Sequence, residues 1–482
     1  MSSNGVVTNG TSAVATKLNE SEAANIPVTE IFADFVANAH TDSLDLEMRE
    51  KLKEVIVDYI GVTAAAGYSV DSTPPIYKAV LALGGAEGSS TAITKGQKFT
   101  PQYAGFLNAT FGHSMDFDDT YSPGTLHAGV TAISAALTQA ELMGSTSTSD
   151  RFLLAVAVGY EVTCRLGREL GYEAYSQGMH NTATAGIFGS VAAISVLKRL
   201  TSRTIEMAFG FAGSKASGSM QYLENGSHNK RLHAGFAVHD AFLCVALAEA
   251  GALGATRIVE GKFGFLNAYS PNPNKDLKRL TEGLGTHWEW LVSALKPYPA
   301  CRMTHGFIEM AGDLAQKHSK EVKGIICALS PSNFSVVGHR TPNKLHPENI
   351  VDAQFSAYFQ TANAWIYGSN TGNAAYNKLD DPRIHALCER ITCVKDSSIK
   401  GFGSTIEIEY ADGSKEKQDM PFPLGEAEHP YTRDRVDQKF FSLATPVYGK
   451  DDATRIRDMV NSIEKHTIAE LLDLLGREAS AF

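Results

Sequence analysis

The sequence predicts a mainly α protein, with a large all-helical unit interrupted by a smaller α/β insertion. Three observations predict it. From about residue 28 to 295, apolar residues recur at three- and four-residue spacing; near Lys296 the texture changes to short β-like runs; and toward the C-terminus helical spacing returns. The expected division is therefore a tail over 1–27, a helical unit over 28–295 plus 446–482, and an α/β unit over 296–445. At 482 residues the chain is too long for one ordinary core, which agrees with two units.

In the first unit, helices are predicted over Leu46 to Ala66, Pro101 to Met115, Arg151 to Leu170, Thr182 to Leu200 and Leu232 to Ala252. Several are apolar nearly all round and rich in Ala and Gly, as in AGIFGSVAAISVL, and such helices bury themselves against others. In the second unit, Gly324 to Leu329, Asn333 to Val337 and Ile391 to Val394 read as strands, and STIEIEYADGSKEKQDM reads as a hairpin turning at Asp412-Gly413. From Asp451 the helical pattern is plain again, with Met459, Ile463, Ile468, Leu471 and Leu472 on one side.

Composition narrows the function. A formal net charge of −10 disfavours nucleic acid and anionic membranes, which both need a basic face. No apolar run is expected to reach the roughly 18 residues of a membrane span. The first 24 residues are rich in Ser, Asn, Thr and Gly and carry no Arg, so they read as a disordered tail, with the cytoplasm as the default location. Six cysteines lie scattered without a CxxC pair, which disfavours disulfides, a zinc site or an iron–sulfur cluster. No GxGxxG or GxxxxGK[ST] motif signals a nucleotide. No metal and no organic cofactor is expected.

Four polar stretches stand out. HSMDFDDTYSPGTLHAG holds His113, Asp116, Asp118, Asp119, Thr120 and His127 after an apolar helix. Carboxylates this close repel one another, and burial would raise some of their pKa values, as suits a general acid or base; an acidic turn or a metal loop is the plainer alternative. QGMHNTATAGIFGS places His180 before a helix N-terminus, which favours its neutral form. ENGSHNKRLHAGFAVHD gathers His228, Lys230, Arg231, His233 and His239, cations that could hold a carboxylate or simply cap a solvated turn. KPYPACRMTHG carries Lys296, Cys301, Arg302 and His305 at the junction of the two units, a common place for a cleft.

Together and in this order, the four stretches resemble the MmgE/PrpD family, from about residue 28 to the C-terminus. The resemblance implies a helical domain, an α/β lid domain and a homodimer. It places active-site positions on Asp116, Thr120, His127, His180 and Lys230, and the Lys296 to His305 stretch resembles a segment of the family. Catalytic roles are therefore expected for Asp116, His127, His180 and Lys230, and, with the basic cluster taken as an anion site, substrate-binding roles for Thr120, Arg231, Lys296, His305 and Tyr358. The segment AQFSAYF departs from the family pattern: Phe359 stands where a Tyr is common, and Tyr358 precedes it. One residue turns a helical side chain by about 100°, so which of the two faces the pocket is open.

The resemblance implies a lyase acting without a cofactor on a small, multiply negative carboxylic acid. Dehydration of a citrate-type tricarboxylic acid, such as 2-methylcitrate or a longer 2-alkylcitrate, is expected first. Decarboxylation of cis-aconitate comes second, because the same proton carriers serve it. Epimerisation of a small dicarboxylate and non-catalytic carboxylate binding are the remaining readings.

Overall fold

In the computed structural model, which describes residues 26–272, 275–317 and 320–481, the helical periodicity becomes a series of long packed helices. They begin with α1 (Val28–Ala37), α2 (Leu46–Ser69), α3 (Thr73–Ala82) and α4 (Pro101–Ser114). After these come α5 (Gly129–Met143), α6 (Ser149–Ser176), α7 (Asn181–Lys198), α8 (Ser202–Lys215) and α9 (Asn229–Glu249). The expected tail lies outside the described residues up to position 25, and Ile26 already packs on the helical core.

Local sequence explains where these helices start and how closely they pack. Asp45, Thr148 and Thr201 each accept a hydrogen bond from a backbone N–H in the first turn of α2, α6 and α8, satisfying donors the helix itself cannot. Where α6 crosses α7, a Cβ on Gly189 would stand 1.9 Å from Thr163 Oγ1 and 2.4 Å from the Gly159 carbonyl. Only glycine lets these two backbones meet.

Helix α9 is long and apolar enough by length and composition to cross a membrane, contrary to the expectation that no such run exists. Half of it is buried, and it packs along α4, α7 and α8 as a core helix. Its outer face leaves Phe236, Leu243 and Leu247 exposed.

The α/β part contains α10 (His305–Lys317), α11 (Ala357–Tyr367) and a four-stranded sheet. A two-stranded ribbon, β1 (Ser90–Thr91) and β2 (Lys98–Phe99), belongs to the helical part. The larger sheet is built from β3 (Val322–Leu329), β4 (Ile391–Lys395), β5 (Ser404–Tyr410) and β6 (Lys415–Met420) in the order β4-β3-β5-β6. β3 runs parallel to β4 and antiparallel to β5, and β5 and β6 form a hairpin that turns at Asp412-Gly413, with Gly413 at φ +82°. β5 buries alternate residues, the pattern of a strand with one covered face. This part has its own apolar core, centred on Phe307, Ile325, Phe359 and Ile406.

Two expectations about local structure are corrected. Asn333 to Val337 is helical rather than extended: Ser330 accepts from Asn333 N, Pro331 opens a short helix, and a wide turn over Phe334–Gly338 follows, so capping outweighs the Val pair. The C-terminal helix α12 (Arg433–Asn461) begins well before Asp451 and passes through Pro446 with a break at Gly449. It packs on α2, and α13 (Ile468–Leu475), started by a Thr467/Glu470 capping box, packs on α5. Met459, Ile463, Ile468, Leu471 and Leu472 are buried in the same core as α2, α5 and α6.

Candidate active site

The chain reverses direction directly after α4, and this reversal builds the site. Asp116 adopts φ +51°, a conformation that costs an L residue roughly 1–2 kcal/mol and is entered most readily by Asn and Asp. Thr120 then pairs with Ala294 through two backbone hydrogen bonds of 2.8 and 2.7 Å. That pairing sets Lys296, two residues beyond, against Asp116. Lys296 Nζ donates to Asp116 Oδ1 at 2.7 Å and to its carbonyl at 2.8 Å, and Lys230 Nζ, from the first turn of α9, donates to the same Oδ1 at 2.6 Å. Lys439 of α12 closes the arrangement from behind, donating to the Phe117 carbonyl at 2.8 Å and pairing with Asp58 at 2.7 Å.

Burial alone would push the Asp116 carboxyl up, but Lys230, Lys296 and His127 overcome it and hold the group well below the usual carboxylate range. Burial pulls Lys296 down from the ordinary lysine value, against the pull of Asp116. The carboxylate is thus charged and shared by two ammonium groups, while its second oxygen, Oδ2, is buried without a partner. Each ammonium has three donors, so both lysines retain hydrogen-bonding capacity beyond Asp116.

Around this knot stand four imidazoles. His113 Nδ1 lies 2.8 Å from Asp118 Oδ2, and His127 Nδ1 lies 3.2 Å from the same oxygen. His113 stacks on His180 at 5.5 Å, and His180 Nδ1 meets His233 Nδ1 at 3.0 Å. One ring of that last pair must donate and the other accept, which leaves the donor's Nε2 as a base. Burial lowers all four rings: His127 to about 4, His233 to about 3, His113 downward, and His180 well below its ordinary value, with His233 and His113 adding to the effect. At neutral pH they are uncharged proton carriers.

Asp119 is the carboxyl whose pKa is raised, to about 8, by burial and by the charges of Asp118 and Asp58. It accepts from Gly129 N at the start of α5 and faces Tyr160, away from the cavity. The carboxyl cluster therefore divides its labour: Asp116 holds the lysines, Asp118 orients two imidazoles and Asp119 caps a helix.

The cavity has an empty volume of about 390 Å³, counting its open mouth. Its polar wall includes Asp116, Thr120, Thr125, His127, His180, Lys230, Lys296 and Arg302, and the Thr120 hydroxyl is buried there without a partner. Its other wall includes Leu126, Tyr175, Cys301, Met303, Phe355 and Phe402. Of the positions expected from the sequence, Asp116, Thr120, His127, His180, Lys230 and Lys296 are brought together.

Three are not. Arg231 points away from Lys230 by one helical step and pairs with Asp71 at 2.5 Å. His305 is fully buried behind the wall, between Arg302 Nη1 at 3.0 Å and the Ala300 carbonyl at 3.0 Å. Tyr358 donates to the Gly338 carbonyl at 2.9 Å, and Phe359 stacks on Tyr376, so neither lines the cavity. His233, which the sequence places among cations, is the neutral partner of His180. Met303, Phe355 and Phe402 carry no polar signature by which sequence alone would find them.

His113, Asp118 and His127 offer one donor atom each within 4.8 Å, a spacing that could hold a metal ion. The same atoms already contact one another through Asp118.

The low value of His127 has a definite pH consequence. In the unfolded chain this ring takes its proton near pH 6.5, in the fold only near 4. The unfolded state binds more protons between those values, so this group withdraws stability as pH falls through that window. In an NMR titration of ring-labelled protein, His127 and His180 should stay neutral from pH 8 to 5.5. A transition of either ring between pH 6 and 7 contradicts the assignment.

Comparison with known proteins supplies the family. The MmgE/PrpD N-terminal domain matches residues 30–278, and the MmgE/PrpD C-terminal domain matches residues 298–465. The chain is 26% identical over 489 aligned residues to a cis-aconitate decarboxylase of Aspergillus terreus, covering 96% of this chain and 98% of that protein. It is 25% identical to the cis-aconitate decarboxylase of Mus musculus, covering 91% of each, and 24% identical to that of Homo sapiens, covering 91% and 92%. With both domain matches in order along most of its length, this chain belongs to the MmgE/PrpD family.

Proposed function

We propose that the protein is a lyase that uses side-chain acid–base chemistry on a citrate- or aconitate-type polycarboxylate, and that decarboxylation of a cis-aconitate-type acid is its reaction. The observation that carries this reading is the buried cavity in which two ammonium groups share one carboxylate beside two neutral imidazoles. A substrate carboxylate is held by the remaining donors of Lys230 and Lys296 and by the Thr120 hydroxyl. The departing carboxylate leaves as carbon dioxide, and its bonding electron pair stays on carbon as a carbanion whose charge the ammonium groups stabilise. An imidazole or ammonium N–H then protonates that carbon. The names of the full-length relatives support decarboxylation over the dehydration first expected from the sequence.

Dehydration of a citrate-type acid is the second reading, and one observation favours it. His127 and His180 both stand on the cavity wall, and loss of water uses two proton carriers, one as base and one as acid on the departing hydroxyl. No step in either reaction is assigned to a metal or organic cofactor.

Incubation with cis-aconitate, citrate and 2-methylcitrate, followed by NMR and headspace analysis, separates the readings by loss of carbon dioxide or of water. Turnover of the best acid should survive dialysis against EDTA. His127→Ala or His180→Ala should lower kcat by roughly two to four orders of magnitude, whereas Lys230→Ala should raise KM as well. Near-normal kcat/KM in all three folded variants contradicts the reading, as does loss of activity to EDTA and its recovery with one metal ion.

We also propose that two copies of the chain pair. An apolar groove lined by Ile76, Val80, Tyr103, Leu232 and Phe236 adjoins the exposed Leu243 and Leu247 of α9 and supports this reading. Light scattering at micromolar concentration should give the dimer mass, which Phe236→Glu should halve; a monomer in the parent protein contradicts the pairing.

A further inference from the structure

Phe402 stands where three cavities meet. With Thr125 and Met303 it borders both the inner cavity and an outer recess of about 900 Å³, counting space open to solvent. On another side it borders a second recess of about 1350 Å³, with which the inner cavity shares no other lining residue. The residue sits in a Gly-Phe-Gly sequence within the connection from β4 to β5. The base of that connection is pinned: Asp396 N donates to the Leu329 carbonyl at 2.7 Å, and Asn333 Nδ2 donates to the Gly401 carbonyl at 2.9 Å. Gly401 has φ +53°, a conformation a side chain would resist. The Phe402 ring is thus carried between two glycines on an anchored loop, partly buried between inside and outside.

The two recesses differ in charge. The one reached past Thr125 and Met303 is walled by hydroxyl and amide groups of Tyr172, Ser330, Ser332, Asn333 and Ser397, and among the described residues Lys400 is its one charged side chain. The other sets Asp396, Asp419, Glu426 and Glu428 against Lys400 and Lys417. Even with Glu426 paired to Arg302 at 2.6 Å, acids outnumber bases there. A multiply negative molecule is repelled from the acidic recess and drawn to the one that Lys400 dominates, because a low-dielectric cleft concentrates ions opposite to its own sign.

We propose that the Lys400 recess is an outer binding station for a small polycarboxylate, and that Phe402, backed by Met303 and Thr125, is the gate between this station and the inner cavity. The identity of the cargo rests on the proposed function; the route and the gate rest on the cavities and their charge. An acid is held first by Lys400 and the surrounding hydroxyls. Rotation of Phe402 then opens the way to Lys230 and Lys296.

Cys301 provides a test that needs no turnover. It lines the inner cavity, and burial pushes its thiol up to about 11. Its thiolate attacks a methanethiosulfonate, forming a mixed disulfide and releasing methanesulfinate, and peptide mass spectrometry separates Cys301 from the other cysteines. The rate is measured at pH 8.5 with an anionic sulfonatoethyl reagent and a cationic trimethylammonioethyl reagent of similar size. Phe402→Ala, with Phe402→Leu as the milder variant, should speed both reagents about tenfold. Lys400→Glu should lower the anionic-to-cationic rate ratio about tenfold at low salt, an effect that fades as added salt screens the charge. Lys417→Glu, which changes the acidic recess alone, should leave the ratio near its parent value. Rates indifferent to Phe402, or a ratio that Lys417→Glu moves as far as Lys400→Glu, overturn the proposal. If no acid is turned over while these rates behave as expected, the function is wrong and the gate stands.

Discussion

The arrangement around the active site depends on one buried carboxylate. Asp116 Oδ1 receives Lys230 from the start of α9 and Lys296 from the junction with the α/β part, at 2.6 and 2.7 Å. Three distant stretches of chain therefore converge on one oxygen. Burying two ammonium groups carries a large desolvation cost, which the shared carboxylate and the Asp116 carbonyl offset. The left-handed backbone of Asp116 belongs to the same bargain, since it aims both its carbonyl and its carboxylate at Lys296.

The imidazoles respond to that charge. Two ammonium groups nearby disfavour protonated histidine, and burial does so more strongly, so His127 remains neutral although Asp118 pulls the other way. A neutral ring can take or give a proton; a protonated ring locked to a carboxylate could only give one. The aromatic and aliphatic wall opposite, with Phe355 and Met303, lowers the polarity around these groups and so strengthens both effects. Electrostatics and packing are here one device.

How much of this was legible in the sequence follows from what each signal depends on. The long helices were legible because apolar spacing over four or more turns is a local property, and so was the hairpin at Asp412-Gly413. The start of α12 was not, because Pro446 and Gly449 interrupt its pattern and charged residues dominate its first half. Asn333 to Val337 misled because two valines suggest a strand, whereas a capping serine and a proline decided the local geometry. The order of the motifs pointed to Asp116, His127, His180 and Lys230, which the fold brings to one cavity. Arg231, His305 and Tyr358 lie away from that cavity because side-chain direction is set by helix phase and tertiary neighbours, neither of which motif spacing records. His233 lay in view but took the wrong role, since its neutrality comes from burial and from His113 and Lys230.

The central claim is that the Asp116 knot is at once a strut and the substrate's anchor, and a pair of variants tests both halves. Urea unfolding and turnover are compared for Asp116→Asn and for Asp116→Asn combined with Lys296→Met. The single variant leaves the buried Lys230 and Lys296 ammonium groups without their shared carboxylate, and breaking a buried pair in this way costs about 3–5 kcal/mol. The account predicts that the second substitution restores part of that stability by removing one of the two unpaired charges, while turnover stays lost in both. A single variant as stable as the parent, or a double variant that regains turnover, contradicts it.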